Sequence, residues 1–285
     1  MKEGYYIMCL ILKKELLAPQ VLRYKLKAPQ IAKRRKAGQF IILRSTDDAE
    51  RIPLTIANGN VEEGWIEIIF QIVGEGTSIL SQLDEGDSLA DLVGPLGKPT
   101  HIENFGRCVC IGGGVGIAPL FPIVSALKEA ENNVTTIIGA RSRNLLILED
   151  EMKAHTDSLS IATDDGSYGY HGFVSDIFNN FINKGTTFDY AIVIGPAIMM
   201  KVVTDLTIKQ GIKTYASLNP IMIDGTGMCG GCRVTVHGKT LFGCVDGPEF
   251  DASGIDWDQL IQRLGSYNAF EIMKKEQHQC KLAGK

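Results

Sequence analysis

The sequence predicts three consecutive units: an antiparallel β-barrel, an α/β domain built on a parallel sheet, and a small cysteine-rich domain. The barrel is predicted because short apolar runs, separated by glycine, proline, asparagine and aspartate, continue to about residue 100. The α/β domain is predicted because strands alternate with helical segments from Gly106 onward. The third unit is predicted because three of the seven cysteines lie between Cys229 and Cys244.

The expected boundaries of these units are residues 1–100, 101–217 and 218–285. A chain of 285 residues with 45% hydrophobic content can build more than one true core. The net charge of -4 gives no general attraction to nucleic acid. No apolar run reaches the ~20 residues that a membrane span needs. Seven cysteines without a secretion signal predict a reducing, cytoplasmic location.

In the barrel unit, strands are predicted at YYIMCLILKKEL, QVLRYKLKA, QFIILRS and WIEIIFQI. The last of these has the period-2 alternation of a half-buried strand. GEGTSILSQL predicts a turn that opens a short helix, and DSLADLVGPLG predicts the strand that closes the barrel. The basic run at residues 33–36 is interpreted as a solvated turn.

In the α/β unit, RCVCIGG predicts a buried strand and GVGIAPLFPIVSALKEA predicts a glycine loop that opens a helix. Further strands are predicted at NVTTIIGAR, SLSIATDDGS, FDYAIVIGP and IKTYASL, with helices between them. This alternation predicts a parallel sheet covered on both faces. Cys9, Cys108 and Cys110 lie in apolar strand-like runs and are predicted core residues.

The glycine loop of the α/β unit is a candidate phosphate site. Gly112, Gly114 and Gly116 are followed by Ala118, which differs from the usual G-x-G-x-x-G spacing. Glycines there let a backbone approach a pyrophosphate, and the helix N-terminus supplies N–H groups. The alternative is a tight turn in an ordinary α/β domain.

Two further candidates lie in the barrel unit. In RIPLT, the Arg51 guanidinium can bind a phosphate, Pro53 stiffens the strand and Thr55 offers a hydroxyl. A purely structural arginine is an equally good interpretation of Arg51. In GEGTS, residues 74–78, a glycine turn opens a helix and can hold a phosphate through backbone N–H groups.

The cysteine cluster has the spacing D-x4-C-x2-C-x11-C, formed by Asp224, Cys229, Cys232 and Cys244. Several glycines around them let a loop wrap closely around a bound group. This is the plant-type [2Fe–2S] spacing with aspartate in the first position. Structural zinc and unliganded thiols remain alternatives. His237, expected in the middle of a strand, is available as a zinc ligand.

The motifs R-x-P-L-T, G-E-G-T, G-G-G-V-G-x-A-P-L, D-D-G-S and G-P-x-x-M precede the cysteine loop. In this order they resemble the ferredoxin–NADP reductase superfamily, and more closely its branch with a C-terminal [2Fe–2S] domain. That branch includes electron-transfer subunits of dihydroorotate dehydrogenase and small subunits of NADH-dependent ferredoxin:NADP oxidoreductase. Orotate-pathway subunits carry cysteine where this chain has Asp224, so the resemblance is closer to the second group.

The resemblance implies FAD, a [2Fe–2S] cluster and NAD(H) as cofactors, and no catalytic side chain, because the cofactors carry the chemistry. It assigns FAD contacts to Arg51, Pro53, Leu54 and Thr55, and the FAD pyrophosphate to Gly74, Gly76 and Thr77. It assigns the nicotinamide dinucleotide to Gly113, Gly114, Gly116, Asp164, Asp165, Gly195 and Pro196. It assigns the iron to Asp224, Cys229, Cys232 and Cys244.

Two positions at the expected nicotinamide dinucleotide site differ from the residues that relatives carry there. Many relatives have cysteine before G-P, where this chain has Ile194. Asp164 occupies the position at which NADP-using relatives bind the 2′-phosphate, and a carboxylate repels that group, which predicts NAD(H). Arg141 and Arg143 lie nearby and could offset this repulsion.

The implied function is electron transfer between NAD(H), FAD and the cluster within a flavin-based electron-bifurcating NADH-dependent ferredoxin:NADP oxidoreductase. The implied partner is a larger flavoprotein subunit with iron–sulfur clusters, which gives access to ferredoxin. The alternatives are an electron-transfer subunit of dihydroorotate dehydrogenase and a non-catalytic flavin- or zinc-binding regulatory module. A C-terminal helix with Trp257, Leu260, Ile261, Leu264 and Tyr267 either docks on a partner or packs on its own domain.

Overall fold

The computed structural model describes residues 9–267, in which a first, antiparallel sheet forms a nearly closed barrel. Its strand order is β6-β1-β2-β5-β4-β3-β7. The strands are β1 (Cys9–Ala18), β2 (Val21–Lys27), β3 (Phe40–Arg44), β4 (Ile52–Asn60), β5 (Trp65–Gln71), β6 (Ser88–Leu89) and β7 (Asp91–Leu96). Two short helices, α1 (Pro29–Arg34) and α2 (Glu75–Ser81), lie between them.

The second sheet has the order β11-β10-β9-β8-β12-β13-β16 and is parallel except for its last strand. Its strands are β8 (Arg107–Gly113), β9 (Asn133–Ala140), β10 (Ser158–Thr163), β11 (Tyr170–His171), β12 (Tyr190–Ile194), β13 (Lys213–Ser217) and β16 (Glu249–Asp251). The helices of this unit are α3 (Ile117–Glu129), α4 (Glu149–Ala154), α5 (Val174–Asn183) and α6 (Ala197–Lys209).

The cysteine-rich unit contains a hairpin, β14 (Arg233–Val236) and β15 (Lys239–Phe242), and a final helix, α7 (Trp257–Leu264). Helix α7 buries Trp257 and Leu260 in a core shared with α5, α6 and the hairpin. It therefore packs on the hairpin of its own unit, as one of the two expectations had it, and also on helices of the parallel-sheet unit. Cys280 and the side chain of Tyr267 lie outside the described structure.

The segment DSLADLVGPLG was expected to form one closing strand, but it forms two. Strand β6 pairs with β1 at one edge of the sheet, and β7 pairs with β3 at the other edge. The segment therefore crosses from one edge of the sheet to the other and nearly closes the barrel. Near closure leaves few unpaired strand edges. The predicted fold class is confirmed, and the predicted unit boundaries stay a prediction.

The interpretation of residues 33–36 as a solvated turn is right about solvent for Lys33, Arg34 and Lys36, which are exposed, but wrong about the turn. Lys33 and Arg34 end helix α1, and the Arg35 guanidinium donates a hydrogen bond to the carbonyl oxygen of Gly59 at 2.8 Å. The long side chain of Arg35 packs inward while its charge satisfies a backbone acceptor, an arrangement that a charge run alone does not show.

Strand β3 separates two environments. Ile41 and Leu43 point into the barrel core, whereas Phe40 and Ile42 pack against Cys232 and Cys244 of the last unit. Successive side chains of a strand point to opposite faces, so one strand can serve both cores. The cysteine-rich unit is therefore fixed on the outer face of the barrel.

Strand β16 also joins units, because it comes from the cysteine-rich segment and extends the parallel sheet. The Thr100 hydroxyl donates to the Glu249 carboxylate at 2.6 Å. Burial raises the pKa of Glu249 to about 7, although the hydrogen bond from Thr100 acts in the opposite direction. Burial also acts to raise the pKa of Asp251, but hydrogen bonds from Ser253 and His237 lower it overall.

These opposite shifts predict opposite pH effects. A folded pKa above the unfolded value means that folding favours protonated Glu249. The contribution of Glu249 to the free energy of unfolding therefore falls as pH rises from ~4.3 to about 7. Glu249→Gln should therefore stabilise the protein at pH 8 by on the order of 2 kcal/mol and change little at pH 5. Thermal unfolding at both pH values measures this.

Asp251→Asn on the same strand is the matched control. Its lowered pKa means that ionised Asp251 favours folding, so Asp251→Asn should lower the melting temperature at pH 8. A melting temperature at pH 8 that falls with Glu249→Gln would contradict the assignment of a destabilising buried charge.

Candidate functional site

The cysteine loop brings two thiols together inside the protein. Cys232 and Cys244 are buried, their sulfur atoms lie 3.2 Å apart, and the Cys244 backbone N–H donates to Cys232 Sγ at 3.4 Å. Burial, with the hydrogen bond to Cys232, raises the pKa of the Cys244 thiol. Such thiols ionise when a metal compensates their charge. Cys229 lies exposed at the surface of the same loop, and its sulfur accepts the Gly231 N–H at 3.4 Å.

Asp224 is held as a carboxylate at the start of the loop. Its Oδ2 accepts the backbone N–H groups of Cys229 at 3.0 Å and Met228 at 3.1 Å, and its Oδ1 accepts that of Thr226 at 3.1 Å. Burial opposes ionisation, but hydrogen bonds from Thr226 and Cys229 outweigh it and lower the pKa of Asp224 to about 2. The loop thus contains one oxygen donor and three sulfur donors, and the Cys232 and Cys244 sulfurs are the pair in direct contact.

His237 lies apart from these donors. The expectation that it sits in the middle of a strand is wrong, because it occupies the turn between β14 and β15 with φ 49°. Its Nε2 lies 3.1 Å from Asp251 Oδ2.

Within residues 9–267, no three His, Cys, Asp or Glu side chains converge as around a single metal ion.

Glycine at position 225 meets two requirements at once. Gly225 has φ +77°, which favours glycine. A Cβ atom added there would lie 2.7 Å from both Ile42 Cδ1 and Leu96 Cδ1. The loop therefore contacts the barrel through bare backbone.

The outer face of β4 lies beside this contact. Thr55 is directly opposite Phe40, and Pro53 is directly opposite Ile42. Directly opposite residues share a face, so Pro53 and Thr55 point outward on the same side as the cysteine loop. Leu54 packs its side chain against the barrel core instead.

Arg51 carries a buried donor that fits an anion. Within the described structure its Nε has no hydrogen-bond partner, and its Nη2 lies 3.8 Å from Asp91 Oδ2. A buried unpaired donor costs about 1–3 kcal/mol, which a bound phosphate oxygen would offset. At the start of α2, the Thr77 hydroxyl accepts the Gly74 N–H at 3.1 Å, and the space beside Gly74 is open.

The second candidate crevice lies between β8 and β12. The strand order of the sheet reverses direction there, with β9 on one side of β8 and β12 on the other. Such a switch point is where open α/β sheets bind ligands. Gly114 has φ +57° with open space beside it, whereas a Cβ atom on Gly116 would lie 2.8 Å from Gly195 Cα. Gly114 thus leaves room for a ligand, and Gly116 permits close packing.

Asp164 and Asp165 lie exposed at the end of β10, next to the end of β9. The backbone N–H of Asp164 donates to Ala140 O, and that of Asp165 donates to Arg141 O, both at 3.1 Å. Asp165 Oδ1 accepts the Ser167 N–H at 2.9 Å. Hydrogen bonds with Ser167 lower the pKa of Asp165.

Sequence reasoning missed the partner of Arg143. Its guanidinium lies 4.2 Å from the centre of the Tyr168 ring, and the Tyr168 hydroxyl donates to Glu149 Oε1 at 2.7 Å. Stacking on the ring engages one of the two arginines that could offset the charge of Asp164. Tyr168 directly follows the D-D-G-S motif, which is the signal that could have identified it.

Comparison with known proteins places the chain in a family. The model of the iron–sulfur cluster binding domain of dihydroorotate dehydrogenase B matches residues 219–256, and that of the oxidoreductase NAD-binding domain matches residues 110–205. A dihydroorotate dehydrogenase B (NAD(+)) electron transfer subunit homolog from Thermotoga maritima is 46% identical over 274 residues, covering 96% of each chain. The chain belongs to the family of these electron transfer subunits and their homologues.

Solved structures and other relatives agree. A chain from the NADH-dependent reduced ferredoxin–NADP oxidoreductase structure, reported for flavin-based electron bifurcation, has a TM-score of 0.90 and 45% identity, covering 97% of this chain and 99% of that one. The dihydroorotate dehydrogenase B electron transfer subunit of Streptococcus mutans is 33% identical over 251 residues, covering 85% of this chain and 95% of that one. An Amycolatopsis cytochrome P450 reductase shares the fold, with a TM-score of 0.61 and 22% identity, covering 71% of this chain and 65% of that one.

These findings confirm the predicted resemblance, and the chain is an oxidoreductase subunit with a ferredoxin–NADP reductase-like fold. They confirm FAD, a [2Fe–2S] cluster and NAD(H) as the cofactors of such a chain. The individual residues assigned to each cofactor stay predictions. None of the helices in residues 9–267 is long and apolar enough to cross a membrane.

The contact at Gly225 yields a paired prediction. Gly225→Ala and Gly238→Ala both place a Cβ atom in the left-handed region, which costs about 1–2 kcal/mol. Only Gly225→Ala also clashes with Ile42 and Leu96, because the space around Gly238 is open. We expect Gly225→Ala to destabilise by a further 1–3 kcal/mol or so and to lower iron content.

Thermal unfolding and iron content of the two purified variants measure this difference. Equal loss of stability and of iron in both would show that the cysteine loop does not depend on the barrel contact.

Proposed function

We propose that this chain passes electrons between NAD(H), FAD and a [2Fe–2S] cluster within a flavin-based electron-bifurcating NADH-dependent ferredoxin–NADP oxidoreductase. The observation that carries the proposal is the aspartate-headed cysteine loop packed beside the outer face of β4. The 45% identity and TM-score of 0.90 with a chain from such an oxidoreductase structure support it.

The arrangement of strands supports placing the two proposed redox sites next to each other. Pro53 and Thr55 on β4 lie opposite Ile42 and Phe40 on β3, and the cysteine loop packs against Ile42 and Phe40. Neighbouring strands are ~4.8 Å apart, so the proposed flavin strand and the cluster loop are separated by one strand spacing plus side chains. When bound, FAD supplies the exchange between two-electron hydride chemistry and the one-electron chemistry of a cluster.

The barrel residues proposed to hold FAD contact different parts of the cofactor. Arg51 would bind a phosphate oxygen with its buried Nε. Thr55 and Pro53 would form the wall beside the isoalloxazine. The remaining proposed contacts are Leu54 and the pyrophosphate turn of Gly74, Gly76 and Thr77.

The parallel sheet is proposed to hold the dinucleotide across its switch point. Gly114 offers open backbone for the pyrophosphate. Asp164 would face the free 2′-hydroxyl of the adenosine ribose and exclude a 2′-phosphate. The other proposed contacts are Gly113, Gly116, Asp165, Gly195 and Pro196.

The iron is proposed to be held by Asp224, Cys229, Cys232 and Cys244. Asp224 keeps the formal charge of the thiolate that it replaces, but its hard oxygen shares less electron density with iron. It therefore changes the reduction potential of the centre, which depends on ligand type and surrounding hydrogen bonds.

The partner is proposed to dock around Cys229. Ile221, Ile223, Met228 and Val245 are exposed around the loop, and Met228 is 89% exposed. Clustered exposed apolar side chains mark interaction surfaces. This apolar rim suits a larger flavoprotein subunit with iron–sulfur clusters, which would in turn exchange electrons with ferredoxin.

Six free cysteines among the described residues support a reducing, cytoplasmic location.

A second candidate is the electron-transfer subunit of dihydroorotate dehydrogenase. The match of residues 219–256 to the dihydroorotate dehydrogenase B iron–sulfur domain favours it. Orotate-dependent oxidation of NADH by the purified complex would establish this function, and ferredoxin-dependent reduction of NADP would establish the first.

Asp224→Cys tests the ligand assignment. The variant should keep a cluster but change its reduction potential and its electron paramagnetic resonance spectrum, because oxygen is replaced by sulfur. Redox titration of the intact protein measures both.

Asp258→Asn is the control, since Asp258 lies on α7 of the same unit and its carboxylate pairs with Lys201 at 2.6 Å on the surface. It should leave the potential unchanged. A potential and spectrum that Asp224→Cys does not alter would show that Asp224 is not a ligand.

Asp164 predicts nucleotide preference. Anaerobic titration of the bound flavin should show reduction at an NADH concentration at least about tenfold lower than the NADPH concentration, since like charges brought together cost several kcal/mol. Asp164→Asn should bring the two concentrations closer together, because it should lower the NADPH concentration needed to reduce the flavin.

Asp47→Asn changes an exposed carboxylate of the barrel unit. It should leave the ratio of the NADPH to the NADH concentration needed for reduction as in the unmodified chain. A preference for NADPH in the unmodified chain would overturn the role given to Asp164.

A further inference from the structure

Arg23 joins the barrel to the parallel-sheet unit through an ion pair. It lies on β2, and its Nη2 donates to Oε1 of Glu151, on α4 of the other unit, at 2.7 Å. Two carboxylates of the barrel also face this guanidinium. Glu67 Oε1 lies 3.6 Å from its Nε, and Glu15 Oε2 lies 3.8 Å from its Nη1. One guanidinium thus holds three carboxylates, and one of these comes from the other unit.

The ion pair lies beside an apolar contact between the two units. Arg23 is directly opposite Ile69 on β5, so the two side chains share a face of the barrel. Ile69 packs in the same core as Met152 of α4. The Arg23 side chain is 18% exposed. Burial disfavours its charge, but the hydrogen bond to Glu151 and the nearby carboxylates raise the pKa of Arg23 overall, so the guanidinium stays charged.

Helix α4 also holds the loop of the D-D-G-S motif. Two residues before Glu151, Glu149 accepts the Tyr168 hydroxyl at 2.7 Å, and Tyr168 directly follows that motif. The motif includes Asp164, which is proposed to face the adenosine ribose. One short helix therefore contacts the proposed nucleotide loop with one carboxylate and the barrel with the next but one. A displacement of α4 would change the position of that loop relative to the barrel.

We propose that Glu151 is a positioning residue for hydride transfer, because its ion pair with Arg23 holds the nucleotide loop in place against the barrel. In that step the nicotinamide of NADH loses a hydride, which is two electrons and one proton, and the flavin gains it. Reacting atoms must come within about 3–3.5 Å, and a misplacement of about 1 Å can slow a reaction by on the order of 100-fold. The inference rests on the proposed binding of FAD to the barrel and of NAD(H) to the parallel sheet.

Glu15 provides a matched comparison for Glu151. The two carboxylate side chains are 38% and 39% exposed, and both pair with Arg23. Glu15 lies on β1 of the barrel, whereas Glu151 lies on α4. Glu15→Gln therefore removes a contact within one unit, and Glu151→Gln removes a contact between two units.

The test measures alignment separately from affinity, on the complete protein with its cofactors bound. Stopped-flow reduction of the flavin by NADH without oxygen gives a limiting rate, which Glu151→Gln should lower by about tenfold. Charge-transfer absorption between reduced flavin and NAD+ requires stacked rings and should weaken in the same variant. The dissociation constant of ADP-ribose, which lacks the nicotinamide, should change by less than about twofold. Glu15→Gln should leave all three within about twofold of the unmodified chain.

Arg23→Gln tests the same pair from the barrel side. It should lower the limiting rate as Glu151→Gln does. The double variant should be no slower than Arg23→Gln alone, because both changes remove one contact and their effects are not additive. Flavin content of each purified variant shows that the barrel is folded, and if Arg23→Gln loses its flavin, the comparison of Glu151→Gln with Glu15→Gln decides.

Three results would overturn the inference. An unchanged limiting rate in Glu151→Gln would remove any role in alignment. Equal slowing by Glu15→Gln and Glu151→Gln would assign the ion cluster to general stability of the barrel. Weakened binding of ADP-ribose with an unchanged limiting rate would assign Glu151 to nucleotide affinity. Failure of NADH to reduce the flavin of the unmodified protein would instead refute the proposed function, and the inference would fall with it.

Discussion

Contact between the cysteine loop and the outer face of β3 fixes the geometry on which both proposed redox sites depend. The loop reaches Ile42 and Leu96 at Gly225, where backbone alone fits, and the buried thiols pack against Phe40 and Ile42. Strand alternation leaves Ile41 and Leu43 for the barrel core. The neighbouring strand β4 then places Pro53 and Thr55 on the same outer face. This contact sets the position of the cysteine loop against β3, beside the strand that is proposed to line the flavin.

The other units are joined just as closely, which suits a chain that must hold cofactors at fixed separations. Strand β16 leaves the cysteine-rich segment and pairs with β13 of the parallel sheet. The hairpin and α7 share a core with α5 and α6. Helix α3 contributes to a core that also includes Ala57 and Ile69 of the barrel. Because packed cores resist continuous deformation, these shared cores limit motion between the sites.

The sequence predicted the fold class because periodicity and turn residues are local signals. The spacing of Asp224 with the three cysteines is a local signal too, but the assignment of these four residues to one cluster stays a prediction. The strand β16 was missed because its pairing depends on a distant partner, β13. His237 was misplaced because its left-handed turn is stabilised by contacts with Gly254 and Asp251, which no local pattern encodes. The stacking of Arg143 on Tyr168 was missed for the same reason, since it joins two loops that follow different strands.

The central claim is that one carboxylate and three thiolates of this chain bind a two-iron cluster beside an FAD. Its most direct test is the content of iron, acid-labile sulfide and flavin in protein purified without oxygen. The account predicts two irons and two sulfides for each FAD and each chain, with flavin and iron–sulfur absorption in one protein. A colourless protein that contains zinc, or one that lacks sulfide, would contradict it.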